Sequence, residues 1–418
     1  MSLGDHPVMT ILSALARLAP VALLMAATGS PASAAERPKV RAVTAFITID
    51  SKSYPAQFES AVAFLDDARA RYRKAGFDVE TIRIATQPYS EYTRGLSHDE
   101  ALALLRRIDA ISARLNFSPS IGPAMLHDGD DDAPVALLAD LLTQPSRINA
   151  CLVTAADDGI HWASLHRAAR LIKEISQRSP RGQGNFNFAA IAMLKPNGPF
   201  FPGAYHVGAG HLFSVGLESA NVVGEVFAQY HEPRAAQKAL TDALSLPLRE
   251  AEGVALQIAA ASGWAYAGID PTPAPLGEVS IGRAIESFTG SPFGASGTMT
   301  AAAVITRAVQ STTVKRVGYA GLMIPVMEDA VLAQRWAEGT YTADSILAYS
   351  AVCAAGLDTI PLPGDISEAH LEQILSDVTT LAYKWNKPLA ARLLPVPGKT
   401  TGARTEFDDP RMANTTIH

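Results

Sequence analysis

Two hydrophobic periods alternate along this chain. Apolar runs of strand length, rich in β-forming residues, occupy 41–49, 79–85, 149–154, 187–194, 357–360 and 389–394. Between them lie longer segments with apolar residues three and four apart. The clearest is 55–74, where Phe58, Val62, Leu65, Ala68 and Tyr72 repeat at helical spacing and Gly76 follows as a stop. Ser97 opens a second helix with Asp99 and Glu100 in its first turn. Further helices are predicted over 158–177, 233–266, 279–287, 298–309, 326–337, 345–354 and 367–383, whereas the prolines of 269–277 predict loop. Strands alternating with helices of this length predict βα units and a parallel sheet. No fixed-period repeat or linker divides the chain, so residues 35–418 read as a single α/β domain.

Candidate chemistry is densest at 200–221 (FFPGAYHVGAGHLFSVGLESAN), directly after the apolar run 187–194. A buried strand that delivers a glycine-rich loop is where α/β proteins place binding groups. His206 is the candidate acid or base of this loop, with Tyr205 and Glu218 as candidate ligand contacts. His206 and His211 are five apart, which is not the spacing of a helical zinc pair. With Glu218 they form a two-histidine, one-carboxylate set that ranks below a metal-free site, so no metal residue is assigned.

Composition narrows the classes. Hydrophobic residues make up 48% and charged residues 18%, which predicts a large core. A net charge of −6 gives no basis for a nucleic-acid or anionic-membrane partner and leaves a small-molecule ligand as the expected one. Residues 1–34 have the plan of a secretory leader: Arg17, an apolar stretch over 19–28, and Ala32-Ser33-Ala34 as a cleavage signal. That stretch is too short to span a bilayer, so the mature chain is expected to be periplasmic or secreted, without a stable membrane span. Two cysteines, Cys151 and Cys353, are too few for a disulfide scaffold; one bond or two buried thiols both remain open.

Later motifs add candidates. Asp358 opens a short strand and Asp365 lies just past its end, where Asp365 and Glu368 fit a capping box. Glu328 and Asp329 fall in the first turn of a predicted helix, where the dipole favours them. Lys399 lies on the loop after the last strand and is a candidate anion contact; Leu393 stands where a phosphate loop needs its first glycine. Ser296 and Gly297 precede a helix start and offer backbone N–H groups to an anion, although the surrounding residues fail the hydrolase elbow pattern.

The blocks 319–329 (YAGLMIPVMED), 349–365 (YSAVCAAGLDTIPLPGD), 387–402 (KPLAARLLPVPGKTTG), 200–206 (FFPGAYH) and 216–221 (GLESAN) resemble the domain-of-unknown-function family 711. Residues 41–50 and 147–176 match more loosely, with His161 standing where that family typically has Asn. The resemblance implies a ten-stranded α/β barrel like that of pyruvate formate-lyase and the ribonucleotide reductase large subunit. It implies no reaction and no cofactor. Arg316-Val317-Gly318-Tyr319 superficially resembles a glycyl-radical motif but lies mid-chain and lacks one residue, so radical chemistry is not expected.

In such barrels the loops after the strands gather at one face. The expectation is therefore that the His206, Asp365 and Lys399 loops converge, with His206 as acid or base and Asp358 or Asp365 as its partner. Lys399 and the Ser296–Gly297 backbone would clamp a carboxylate-bearing metabolite. A non-catalytic periplasmic binding protein is the alternative, and a metallohydrolase built on His206, His211 and Glu218 follows. No cofactor is predicted, and a homo-oligomer is compatible with the sequence.

Overall fold

Among the described residues ten strands join in one sheet, and they run in two opposed groups. The computed structural model describes residues 37–354 and 356–418; the predicted leader lies outside the described residues. The strands are β1 (Lys39–Ile47), β2 (Val79–Thr86), β3 (Ser118–Pro123), β4 (Asn149–Ala156), β5 (Gly159–Ile160), β6 (Phe188–Ala192), β7 (Leu212–Glu218), β8 (Ala265–Asp270), β9 (Gly356–Pro363) and β10 (Leu389–Val396). Their order is β8-β7-β1-β2-β3-β4-β6-β10-β9, with β5 paired to β4 alone.

Strands β1, β2, β3, β4 and β6 are mutually parallel through βα units. β7 pairs antiparallel with β1 and carries β8 parallel to itself; β10 pairs antiparallel with β6 and carries β9. The sheet is therefore mixed, where periodicity predicted a parallel one. Beyond the two edge strands, single bridges join Ile269 of β8 to Arg316 and Asp358 of β9 to Pro325.

Helices cover one face and bury the main core. The helix Tyr54–Lys74 follows the predicted spacing and buries Phe58, Leu65 and Tyr72 fully; burial of a side chain the size of Phe or Leu contributes roughly 1.5–3 kcal/mol. The helix His98–Leu115 starts at a capping box made by Ser97 and Glu100. The helix Pro233–Ser262 stops four residues before the predicted boundary, because Gly263 takes a left-handed conformation at φ 75° and the chain turns into β8.

Three other expectations shift. The helix expected from Asp158 begins at Trp162, after the β4–β5 hairpin. The helix expected from 326 begins at Ala330, with Asp329 as its N-cap. Asp365 is not a cap: the Ser367 hydroxyl accepts from the His370 N–H, and Asp365 is exposed in the turn before it.

The other face of the sheet holds three small apolar clusters instead of one large core. They form around Cys151 and Ile191, around Phe200 and Met323, and around Phe46 and Ala204. The loop 198–206 lies against this face. The Thr44 hydroxyl donates to the Pro199 carbonyl at 3.3 Å and the Ser120 hydroxyl to the Ala204 carbonyl at 2.7 Å. Cys151 is a buried free thiol, so the two cysteines are not bonded to each other. No described helix is long and apolar enough to cross a membrane.

Candidate active site

The polar centre of the molecule sits on the face that carries loop 198–206. β1 and β9 both break register there. Arg41 is an extra residue between Val40 and Ala42 where β1 pairs with β7, and Asp358 with Thr359 oppose the single Arg392 where β9 pairs with β10. Such bulges re-aim side chains, and Arg41, Asp358 and Arg392 all line one cavity of about 150 Å³. Thr359 takes φ 52°, which is sterically unfavourable for a β-branched residue. Its hydroxyl accepts from the Met327 N–H at 3.0 Å and so fixes the turn that carries Glu328.

The charges interlock. Arg392 donates from Nε to Asp358 at 2.7 Å and from Nη2 to Glu328. Arg41 donates to the other Glu328 oxygen at 3.3 Å and to Glu218 at 3.2 Å. Burial disfavours the charged form of Glu328, but Arg392 and Arg41 outweigh it and hold its carboxyl below the ordinary value. Asp358 goes the other way: burial raises its pKa despite Arg392, and the Glu328 charge adds to the rise. Glu218 is pushed up to about 7 by burial and by Glu80 beside it. Two carboxyls in one cavity with pKa values driven apart are a recurrent acid–base arrangement.

Arg83 stands apart from this network. Its guanidinium donates to the Thr81 hydroxyl and the Pro199 carbonyl, both at 3.2 Å, and lies 5.0 Å over the Phe201 ring. Among the described residues no carboxylate pairs with it. Burial, then the Arg41 charge, pull its pKa down to about 9, which still leaves it cationic at neutral pH. The lining thus holds four arginines (Arg41, Arg83, Arg392, Arg411) and three carboxylates (Glu80, Glu328, Asp358), while Glu218 and Asp409 pair with Arg41 and Arg411 from outside it.

A wider vestibule of about 510 Å³ shares Ser118, Asn149, Phe186 and Arg411 with the inner cavity. Phe186 stands between the two, with the Arg392 and Arg411 guanidinium groups each 4.7 Å from its ring. Arg411 comes from a C-terminal tail that packs back on the domain. Ala413 N–H donates to the Met327 carbonyl, the Thr415 hydroxyl to Ala333, and the Trp336 ring N–H to Thr416.

Of the residues singled out from sequence, Asp358 and Glu328 line this cavity and Glu218 backs it through Arg41. The others lie elsewhere. His206 is buried at the C-terminal end of β2, where its backbone N–H meets the Thr86 carbonyl. Its Nε2 finds no hydrogen-bond partner among the described residues, and burial lowers its pKa. Tyr205 is buried next to it.

Asp365 and Lys399 follow β9 and β10, which run against β2, so their loops fall at the opposite edge from His206 and do not meet it. Lys399 pairs instead with Glu406 at 3.1 Å. Ser296 and Gly297 are exposed and line neither cavity. The set of His206, His211 and Glu218 does not assemble: Leu212, next to His211, faces Phe46 at one end of β1, whereas Glu218 faces Lys39 at the other. His211 stacks on Trp264.

Sequence reasoning passed over Arg41, Arg83 and Arg392. Arg83 and Arg392 interrupt runs of strand-forming residues (TIRIA, LAARLL) and Arg41 heads one (RAVTAFITI), and an arginine there must either reach solvent or find a buried partner. That placement was the available signal.

The family described as Uncharacterised ACR (DUF711) matches residues 34–408. A protein of Pyrobaculum arsenaticum named UPF0210 protein is 31% identical over 350 residues, covering 79% of this chain and 76% of that protein. One from Desulforudis audaxviator with the same name is 30% identical, covering 80% and 78%. A third, from Carboxydothermus hydrogenoformans, is 27% identical and covers 84% and 81%.

Proposed function

The chain belongs to the DUF711 family, and on that footing we propose that it is an enzyme converting a small carboxylate-bearing acid in the arginine–carboxylate cavity. The observation that carries this reading is Arg83, a guanidinium at the cavity wall that, among the described residues, makes no ion pair with a carboxylate. Arg83 is half-buried and feels Glu328 and Glu80 only beyond ion-pair distance, so a ligand that supplies the negative charge in direct contact is favoured. The planar fork of arginine suits a carboxylate. A volume of about 150 Å³ favours an acid of a few carbons, since drug-sized ligands need roughly 300 Å³ or more.

In this reading the substrate carboxylate rests on Arg83, and the reacting centre faces Asp358. Asp358, with its raised pKa, exchanges a proton with the atom next to that carboxylate. Arg392 keeps Asp358 in place, and Glu328 remains ionised to hold Arg392 and Arg41. Tyr319 also lines the cavity; burial raises its pKa, so its hydroxyl stays a donor. Phe186, Phe200 and Phe201 restrict water.

Two wider elements belong to the same proposal. The bridges from Arg316 and Pro325 to the two edge strands support a seam that makes the sheet a barrel of the pyruvate formate-lyase type, with the cavity as its lumen. Export of the mature chain is proposed on the leader pattern over 1–34 alone.

The test is a thermal-shift panel of small mono- and dicarboxylic acids on the mature chain and on Arg83→Ala, followed by turnover assays on every acid that binds. Acids that raise the midpoint of the native protein and not of the variant support the site. A panel without hits, or equal shifts in both proteins, removes it. Binding without turnover would instead establish the non-catalytic binding protein.

A further inference from the structure

Among the described residues, the histidine–carboxylate group that does assemble lies at the C-terminal ends of β3 and β4. The β4–β5 hairpin pairs Ala156 with Gly159, leaving Asp157 and Asp158 as its two-residue turn. His161 follows directly, at the N-cap of the helix Trp162–Arg178. His127 comes from the loop after β3.

That loop is bolted down twice. The Asp130 carboxylate accepts from the Leu126 and His127 N–H groups at 2.8 and 2.9 Å, and Asp128 accepts from the Ser164 N–H at 3.0 Å. The loop is thereby tied to the same helix that His161 begins.

The three side chains converge on one point. Asp158 sets one oxygen 2.9 Å from His161 Nε2 and the other 3.2 Å from His127 Nδ1, and one ligand atom of each residue lies within 4.8 Å of the others. Donors bound to one tetrahedral zinc at about 2.0–2.1 Å stand roughly 3.3 Å apart, and each histidine already stands at about that spacing from one of the two Asp158 oxygens.

Hydrogen-bond accounting adds a second argument. Buried His161 has the Val153 carbonyl 3.2 Å from Nδ1 and a carboxylate at Nε2. A neutral imidazole has one N–H for these two acceptors. With Nδ1–H donated to the backbone carbonyl, Nε2 presents a lone pair to Asp158, a mismatch that either a second proton or a metal cation between them resolves. A backbone carbonyl fixing one ring nitrogen while the other ligates is the usual orientation of a metal-bound histidine.

We propose that His127, Asp158 and His161 bind a first-row divalent cation of the zinc class. Two imidazoles and one carboxylate suit such a borderline ion better than calcium or magnesium. Three protein ligands leave a fourth position open to solvent, as in catalytic rather than structural zinc sites. The site is separate from the arginine cavity and does not depend on its role.

The test uses the purified mature chain, dialysed against chelator and titrated with Co²⁺ and then Zn²⁺. The readouts are metal per chain by native mass spectrometry and the visible absorption of tetrahedral cobalt. The expected result is one ion per chain, with affinity lowered by at least about tenfold in both His127→Ala and Asp158→Asn, since loss of an outer-shell partner alone costs 10–100-fold. His127 and Asp158 are exposed, so these variants keep the core intact. The absence of stoichiometric binding overturns the proposal, as does binding that both variants retain unchanged.

Discussion

Asp358 and Arg392 face each other across a bulge, with 2.7 Å between carboxylate and Nε, because β9 spends two residues where β10 spends one. The extra residue, Thr359, is held at φ 52° and accepts the Met327 N–H. Asp358→Asn preserves the shape and removes the proton exchange. Turnover of any substrate found is expected to fall by about 10²–10⁴, with ligand affinity changed only a few-fold. A kcat that stays within about threefold of the native value would exclude Asp358 from the chemistry.

Removing Arg83 should separate function from stability. Arg83→Ala deletes a charge that makes no ion pair among the described residues, so the unfolding midpoint is expected to hold or rise. Acid binding should weaken by about 10–100-fold, the range of about 1.5–3 kcal/mol for hydrogen bonds to a charged group. Calorimetric titration and thermal melts on the same samples read both. A large fall in the melting point would mean that Arg83 is structural.

Glu218 gives a pH signature. Its folded pKa of about 7 lies above the ordinary carboxylate value. The folded state therefore binds the proton more tightly than the unfolded chain. This contribution to stability is full below about pH 4.3, the ordinary glutamate pKa, and is lost as pH rises through 7. Glu218→Gln does not titrate, so its melting midpoint should gain on the native one between pH 5 and pH 8. Parallel pH profiles for the two proteins would refute the shift.

Gly318 faces the Asp270 carboxylate at φ 79°. Asp270 accepts the N–H groups of Tyr319 and Ala320, so the turn and the carboxylate occupy adjoining space. A Cβ on Gly318 would overlap that carboxylate. Gly318→Ala is expected to destabilise by about 2 kcal/mol or more, by denaturant titration. Gly339, also at positive φ but with open space around it, is the control and should lose less.

His206 provides the counter-test. It lies at the opposite end of β2 from the arginine cavity's vestibule, so His206→Ala should leave acid binding unchanged and lower stability through the space it empties. A loss of binding with no loss of stability would return His206 to the site.

Most helices and strands were legible because periodicity reports which face is buried, as at Phe58, Leu65 and Tyr72, whereas the helix Ala133–Leu142 went unread. β3 was not legible: its sequence, SPSIGP, has two prolines that lack a backbone N–H, yet it lies between β2 and β4. β7 was hidden in the glycine-rich stretch, and β8 between a long helix and a proline-rich loop. Strand direction left no local mark, so the expectation that His206, Asp365 and Lys399 would meet rested on a parallel sheet. Asp358 and Glu328 were found because acids at the ends of apolar segments stand out. The arginines were missed because long cationic side chains usually run out to solvent from such positions.

The C-terminal tail is the detachable part of the cavity wall. Residues 403–418 bring Arg411 to the vestibule and are held by a handful of hydrogen bonds and by buried Phe407, Met412 and Ile417. An acid that touches Arg411 binds only molecules whose tail is docked, so ligand and tail must report each other's free energy. Saturating acid should slow amide exchange at Ala413 and Thr415 by the same factor by which undocking the tail weakens the acid.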